Sequence, residues 1–148
     1  MNAPDTGAAL HASLIGAEVP HESARLHVTG AAHYTDDLTE PKGTLHAALG
    51  VSPVAHGALR DVDLAAVRAA DGVVDVITAA DVPGVNDVGP IEHDDPILAE
   101  GTVEFAGQPV FAVAATSVNA ARRAVRLARL SIDPLPPVLD IDAAVAAG

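Results

Sequence analysis

Hydrophobic and polar residues alternate through the middle of the chain in the way that half-buried β-strands require. Residues 44–51 are the clearest case, because larger apolar residues alternate with small or polar ones at a period of two. The side that carries Ala48 and Gly50 is made of small residues and one histidine. Further short runs with extended character follow at 56–62, 73–77, 103–105, 109–115, 130–132 and 138–141. Pro109 is expected at the first position of its strand, where its missing N–H is tolerated.

Two main helices are predicted between these strands. The first covers residues 64–70, because Asp63 can accept the free N–H groups of its first turn and Gly72 can end it. The second covers 118–130, with Ser117 as its cap and alanine, valine and leucine recurring at helical spacing. Helix, tight turn and strand in succession favour the α/β (α+β) class, with a mixed sheet.

The remaining segments lack a sustained period. Residues 81–100 contain three prolines, two glycines and six acidic residues, which predicts a long irregular loop. Residues 1–20 predict a flexible amino-terminal arm. Residues 142–148 look like the start of a helix that is cut off. The chain is therefore divided into an arm at 1–20, one domain at 21–142 and the truncated start of a further segment at 143–148.

Composition and charge exclude several classes of function. The 148 residues include 20 acidic and 8 basic side chains, for a net charge of -12, which disfavours binding to nucleic acid. There is no cysteine, so no disulfide, thiolate nucleophile or cysteine-ligated cluster can form. No apolar run is long enough to span a membrane, and the first residues lack a secretory pattern. A cytoplasmic protein is expected.

Candidate chemistry is sparse. None of the seven histidines forms the i, i+4 pair of a zinc hydrolase, and no serine lies in a nucleophile elbow. His93, Asp94 and Asp95 could offer ligands to a divalent ion, although a solvated turn is the simpler interpretation. No catalytic, cofactor-binding or metal-binding residue is assigned.

Short motifs in a fixed order carry a resemblance to a known family. The motifs are PHESA at 20–24, YTDD at 34–37, GTLHAALG at 43–50, GVV at 72–74, ADVPG at 80–84, NDVGPI at 86–91, DPILA at 95–99, FAGQPV at 105–110 and LPPVLD at 135–140. Together they resemble the start of the molybdopterin-binding subunit of bacterial xanthine dehydrogenase, in the aldehyde oxidase and xanthine dehydrogenase family. The resemblance covers residues 21–142, nearly the whole chain.

This resemblance implies a hammerhead-type α/β domain that is a non-catalytic scaffold of a larger enzyme. In that family the whole enzyme hydroxylates hypoxanthine and xanthine in purine catabolism, using a molybdenum-pterin cofactor, 2Fe-2S clusters and FAD, and passes electrons to NAD. The residues that hold these groups lie in other domains, so no such role is carried over to this chain. The implied partners are the remaining domains of the molybdenum subunit and the iron–sulfur/FAD subunit.

Two surfaces are expected to meet those partners: the acidic loop at 81–100 and a group of arginines on the second helix, Arg122, Arg123, Arg126 and Arg129. A solvated helix face is the simpler interpretation of the arginines. Three other functions stay open: a subunit of an aldehyde oxidase-like or other heterocycle hydroxylase, a freestanding acidic module that binds metal, and a folded remnant that joins no complex.

Overall fold

The computed structural model describes residues 16–148, and these residues divide into two compact units at the boundary between Pro41 and Lys42. The predicted arm at 1–20 lies largely outside the described residues and stays a prediction. In the first unit, helix α1 covers Ala24–Thr29 and ends at Gly30, whose positive φ of 69° suits a residue without a Cβ. A 3-10 turn follows at Thr35–Asp37, where Asp37 accepts the Tyr34 N–H at 2.9 Å.

The second unit contains two three-stranded sheets. Its strands are β1 His46–Val51, β2 Gly57–Asp63, β3 Val73–Thr78, β4 Thr102–Val103, β5 Pro109–Ala115 and β6 Arg129–Pro134. The first sheet has the order β1-β5-β3 and the second the order β4-β2-β6. Pro109 is the first residue of β5, as expected.

The α/β class is confirmed, but the expected mixed sheet is replaced by two sheets whose strand pairs are all antiparallel. The strands β4 and β5 are neighbours in sequence and belong to different sheets. Val103 pairs with Gly57 in the second sheet, whereas β5 pairs on both sides within the first. The turn between β4 and β5 therefore connects the two sheets.

The predicted helices are present but shorter. Helix α2 covers Ala65–Arg68, and Asp63 accepts the Ala65 N–H at 3.0 Å. Helix α3 covers Val118–Ala124 and is capped by Ser117, which accepts the Ala120 N–H at 3.2 Å. Helix α4 covers Ile141–Ala147, where the sequence predicts the start of a helix from residue 142.

The prediction of a helix over 118–130 is wrong at its carboxyl end. After Ala124 the chain makes one 3-10 turn at Val125–Leu127, and Ala128 is already extended, with ψ of 146°. The helical spacing of apolar residues continues to 130, but β2 takes Arg129–Pro134 as its antiparallel partner. The hydrogen bonds of that pairing outweigh the local helical preference of the sequence.

One part of the core lies between α3 and one face of the first sheet, here called the inner face, and the same core cluster also includes Val67 of α2 and Val103 of β4. Phe111 and Val113 of β5 point to this side and are buried, together with Ala121 and Ala124 of α3. Gly50 on β1 also faces inward, and a Cβ at this position would overlap the Phe111 ring. The small residues of the alternating pattern at 44–51 therefore make room for a large side chain on the neighbouring strand.

Replacing Gly50 by alanine tests this packing. The added methyl group has no space beside Phe111, so Gly50→Ala should lower the free energy of unfolding by about 1–3 kcal/mol. Ala47→Val on the same strand adds more atoms but points to the exposed side, and should change it by less than about 0.5 kcal/mol. Chemical denaturation measures both, and equal effects of the two variants would contradict the assignment of the inner face.

Candidate functional site

The opposite side of the first sheet, here called the outer face, is apolar and exposed. Strand pairing places Leu49, Ala112 and Ile77 in one row across β1, β5 and β3. Leu49 is 53% exposed and Ile77 is 39% exposed. The next row consists of Ala47 and Ala114, with Asp75 at its end as the first charged group. Apolar side chains alone therefore form the middle of this surface.

An antiparallel sheet with one face in water normally alternates apolar residues inside with polar residues outside. Here both sides of the first sheet are apolar, since Phe111 and Val113 fill the inner face and leucine, isoleucine and alanine form the outer face. An exposed apolar surface of this kind indicates contact with another protein surface. The outer face is therefore the candidate functional site.

A second apolar surface lies where the chain leaves the second sheet. Phe105, Val138 and Leu139 border a shallow cavity of about 500 Å³. The exit segment is held there because His56 Nδ1 donates to the Pro136 carbonyl oxygen at 2.9 Å. None of the residues of α4 is buried.

Gln108 sets the shape of the turn that presents Phe105. Its side chain is buried, and its Oε1 accepts the Glu104 N–H at 2.7 Å. The buried Ser52 joins the same turn to β1, because its N–H donates to the Gln108 carbonyl at 2.9 Å and its own carbonyl accepts the Gly107 N–H at 2.8 Å. In the sequence Gln108 stands only within a motif, and no local signal there indicates a buried amide.

The acidic loop at 81–100 is organised from within. The Asp87 carboxylate accepts three hydrogen bonds: from the Gly89 N–H at 2.8 Å, from the Asp95 N–H at 3.1 Å and from Nδ1 of His93 at 3.1 Å. The His93 hydrogen bond, supported by the two backbone donors, holds the pKa of Asp87 below its ordinary value, while desolvation opposes the shift.

Asn86 attaches the same loop to the core. Its Nδ2 donates to the Leu98 carbonyl at 2.7 Å, and its Oδ1 accepts the Leu98 N–H at 3.0 Å. Leu98 is buried, and the neighbouring Ala99 N–H donates to the Pro109 carbonyl at 2.7 Å. The irregular loop predicted here is confirmed as lacking strands and α-helices, but Asn86 joins its beginning to its end, and its carboxyl end is fixed to β5 of the first sheet.

The possible metal ligands do not come together. His93 contacts Asp87, and within residues 16–148 no three histidine or acidic side chains form a group that could hold an ion. Asp94 and Asp95 are exposed. The metal-binding hypothesis therefore gains no support from the geometry of this loop.

The described residues also do not fit a molybdenum-pterin cofactor. Ser52 and Gln108 are the buried polar residues of the described part, and both are engaged in hydrogen bonds within the chain. Every buried side-chain nitrogen or oxygen among these residues already has a hydrogen-bond partner within the chain, so none is left to bind a pterin. No chemical step is therefore derived through this group.

The arginines separate into two places. Arg122, Arg123 and Arg126 are exposed along α3 and the 3-10 turn after it, whereas Arg129 belongs to β6.

The described helices include none that is long and apolar enough to cross a membrane.

Comparison with known proteins gives concordant matches. Residues 29–136 match the family described as "Aldehyde oxidase and xanthine dehydrogenase, a/b hammerhead domain". Xanthine dehydrogenase of Oryza sativa subsp. japonica is 39% identical over 134 residues, covering 90% of this chain and 10% of that protein. Aldehyde oxidase 2 of Rattus norvegicus is 38% identical over 125 residues, covering 84% of this chain and 9% of that protein.

The fold is similar to a solved one. The crystal structure of the aldehyde oxidoreductase from Desulfovibrio desulfuricans matches with a TM-score of 0.78 and 29% identity, over 86% of this chain and 15% of that one. The chain thus spans about a tenth of the length of the curated relatives it matches.

Removing the Asp87 carboxylate tests the organisation of the acidic loop. Asp87→Ala should speed hydrogen exchange at the Gly89 and Asp95 amides, because both lose their acceptor. Asp94→Ala, which removes an exposed carboxylate nearby, should leave both amides unchanged.

The effect should depend on pH. Folding lowers the pKa of Asp87, so the ionised carboxylate stabilises the folded loop. This stabilisation is complete above the ordinary pKa of 3.8 and is lost as the pH falls through the lower pKa of the folded state. The difference in hydrogen-exchange rate at the Gly89 and Asp95 amides between wild type and Asp87→Ala should therefore shrink below pH 3.8. A difference that grows on acidification would contradict this role of the carboxylate.

Proposed function

The chain belongs to the aldehyde oxidase and xanthine dehydrogenase family through its a/b hammerhead domain, and from this premise we propose that it is a non-catalytic scaffold and docking domain of a xanthine dehydrogenase. The whole enzyme would oxidise hypoxanthine and xanthine in purine catabolism. Its molybdenum-pterin cofactor, 2Fe-2S clusters and FAD would be held by other domains. The cytoplasmic location expected from the sequence is part of this proposal.

The outer face of the first sheet is the observation that carries the proposal. Leu49, Ala112 and Ile77 expose an apolar row on a sheet whose other side is already filled by the core. A scaffold domain needs such a surface, because burial of apolar area is the main favourable term in association. The remaining part of the enzyme, about nine tenths of the relatives' length, supplies the partner surface.

Relatives named xanthine dehydrogenase favour xanthine as the substrate, with 39% identity in two plant proteins. The second candidate is an aldehyde oxidase-like enzyme, which is favoured by the 38% identity to aldehyde oxidase 2 of Rattus norvegicus. Substrate choice would be made outside this chain, so the two candidates share every surface described above.

Purification of the tagged chain from the organism that carries it tests the assignment. We expect a complex that contains molybdenum and iron, oxidises xanthine and hypoxanthine, and leaves benzaldehyde nearly untouched. Oxidation of benzaldehyde without xanthine would replace the first candidate by the second. A chain that purifies alone, without molybdenum, would contradict the scaffold function.

Placing a charge on the outer face should prevent assembly. Leu49→Asp puts a carboxylate in the apolar row, and we expect loss of the complex on size-exclusion chromatography while the free chain keeps its circular dichroism spectrum. Leu49→Met keeps the volume and the apolar character, and should assemble like wild type. Normal assembly of Leu49→Asp would exclude the outer face as the docking surface.

A further inference from the structure

The exposed side of α3 carries a compact cationic surface, here called the arginine surface. Asn119, Arg122, Arg123 and Arg126 line a shallow cleft of about 370 Å³. The three arginines follow Asn119 by three, four and seven residues. This spacing places all four residues on one side of the helix and of the turn that continues it. Ala120, Ala121 and Ala124 on the other side are buried in the core, so the orientation of the helix fixes the orientation of the arginines.

These arginines have no acidic partner within residues 16–148. Elsewhere in this part of the chain Arg60 forms an ion pair with Asp133 at 2.7 Å, and Nδ1 of His93 hydrogen-bonds to Asp87 at 3.1 Å. Helix α3 itself contains no acidic residue. The absence is notable because the chain has 20 acidic side chains and only 8 basic ones.

The arrangement is unfavourable in the free chain. Arg126 lies three and four residues after Arg123 and Arg122, and like charges at these spacings destabilise a helix. Their place near the carboxyl end of α3 offsets part of this repulsion through the helix dipole. A negatively charged partner would remove the remainder.

The chemistry of the cleft favours carboxylates on a protein. Guanidinium groups bind carboxylates through two parallel hydrogen bonds. No aromatic residue lines the cleft to stack a nucleotide base, and a net charge of -12 repels a nucleic acid. A second copy of this chain carries the same net charge and is disfavoured for the same reason.

We propose that the arginine surface docks a carboxylate-rich segment that belongs to the enzyme outside this chain. This inference rests on the scaffold function proposed above and names the chemistry of one partner surface. The outer face supplies apolar contact and the arginine surface supplies charge pairing. Assembly should therefore weaken as salt concentration rises.

Carbodiimide cross-linking of the assembled enzyme identifies the segment directly. In the variant R122K/R126K the positive charges stay and two amines become available for amide formation with nearby carboxylates. We expect mass spectrometry to find new cross-links from both positions to aspartate or glutamate residues of a polypeptide segment outside this chain. R25K, which introduces an amine in the first unit, is the control for non-specific coupling. Cross-links only to a second copy of this chain, or none above wild type, would overturn the proposal.

Charge removal and reversal supply a quantitative readout. R122Q/R126Q should weaken assembly and reduce its salt dependence, because the charge pairing is lost. R122E/R126E should weaken assembly further, at least tenfold, and reverse its salt dependence, because salt then screens a repulsion between like charges. R25E/K42E changes the net charge equally and should assemble within twofold of wild type. Unchanged assembly of both arginine variants would overturn this inference alone if Leu49→Asp still breaks the complex. Failure of the wild-type chain to assemble would overturn the scaffold function as well.

Discussion

The close approach between α3 and the inner face of the first sheet is the constraint on which the rest of the structure depends. Gly50 on the sheet leaves the space that the Phe111 ring occupies, and the buried alanines of α3 belong to the same core cluster. Because β5 is the central strand and carries Phe111, its two neighbours are positioned by the same packing. The orientation of α3, and with it the direction of the arginines on its far side, is fixed by this contact.

This packing also explains why the outer face of the first sheet is apolar and exposed. The core is completed with the small residues of β1, so the larger residues of the same strand, such as Leu49, point away from it. A sheet that is apolar on both sides is typical of a sheet covered on both sides. One cover is α3, and under the proposed scaffold function the other is the remainder of a molybdenum hydroxylase.

Strand positions and the family were accessible from sequence, because β-branched runs and collinear motifs are local signals. The alternation at 44–51 predicted a strand but could not tell which side faces the core, since that depends on Phe111 more than sixty residues later. The helix predicted to reach residue 130 ends at Ala124 because β2 requires a partner. The role of Gln108 was also inaccessible, because a buried amide is defined by the backbone groups around it.

Footprinting of the outer face tests most directly whether it is the docking surface. Carbene labelling of Leu49 and Ile77 would be compared between the free chain and the complex purified from its source, with the exposed Val28 of the first unit as a reference. We expect labelling of the two outer-face residues to fall several-fold on assembly while Val28 is labelled equally. Equal labelling of Leu49 and Ile77 in both states would contradict the assignment of this sheet face as the docking surface.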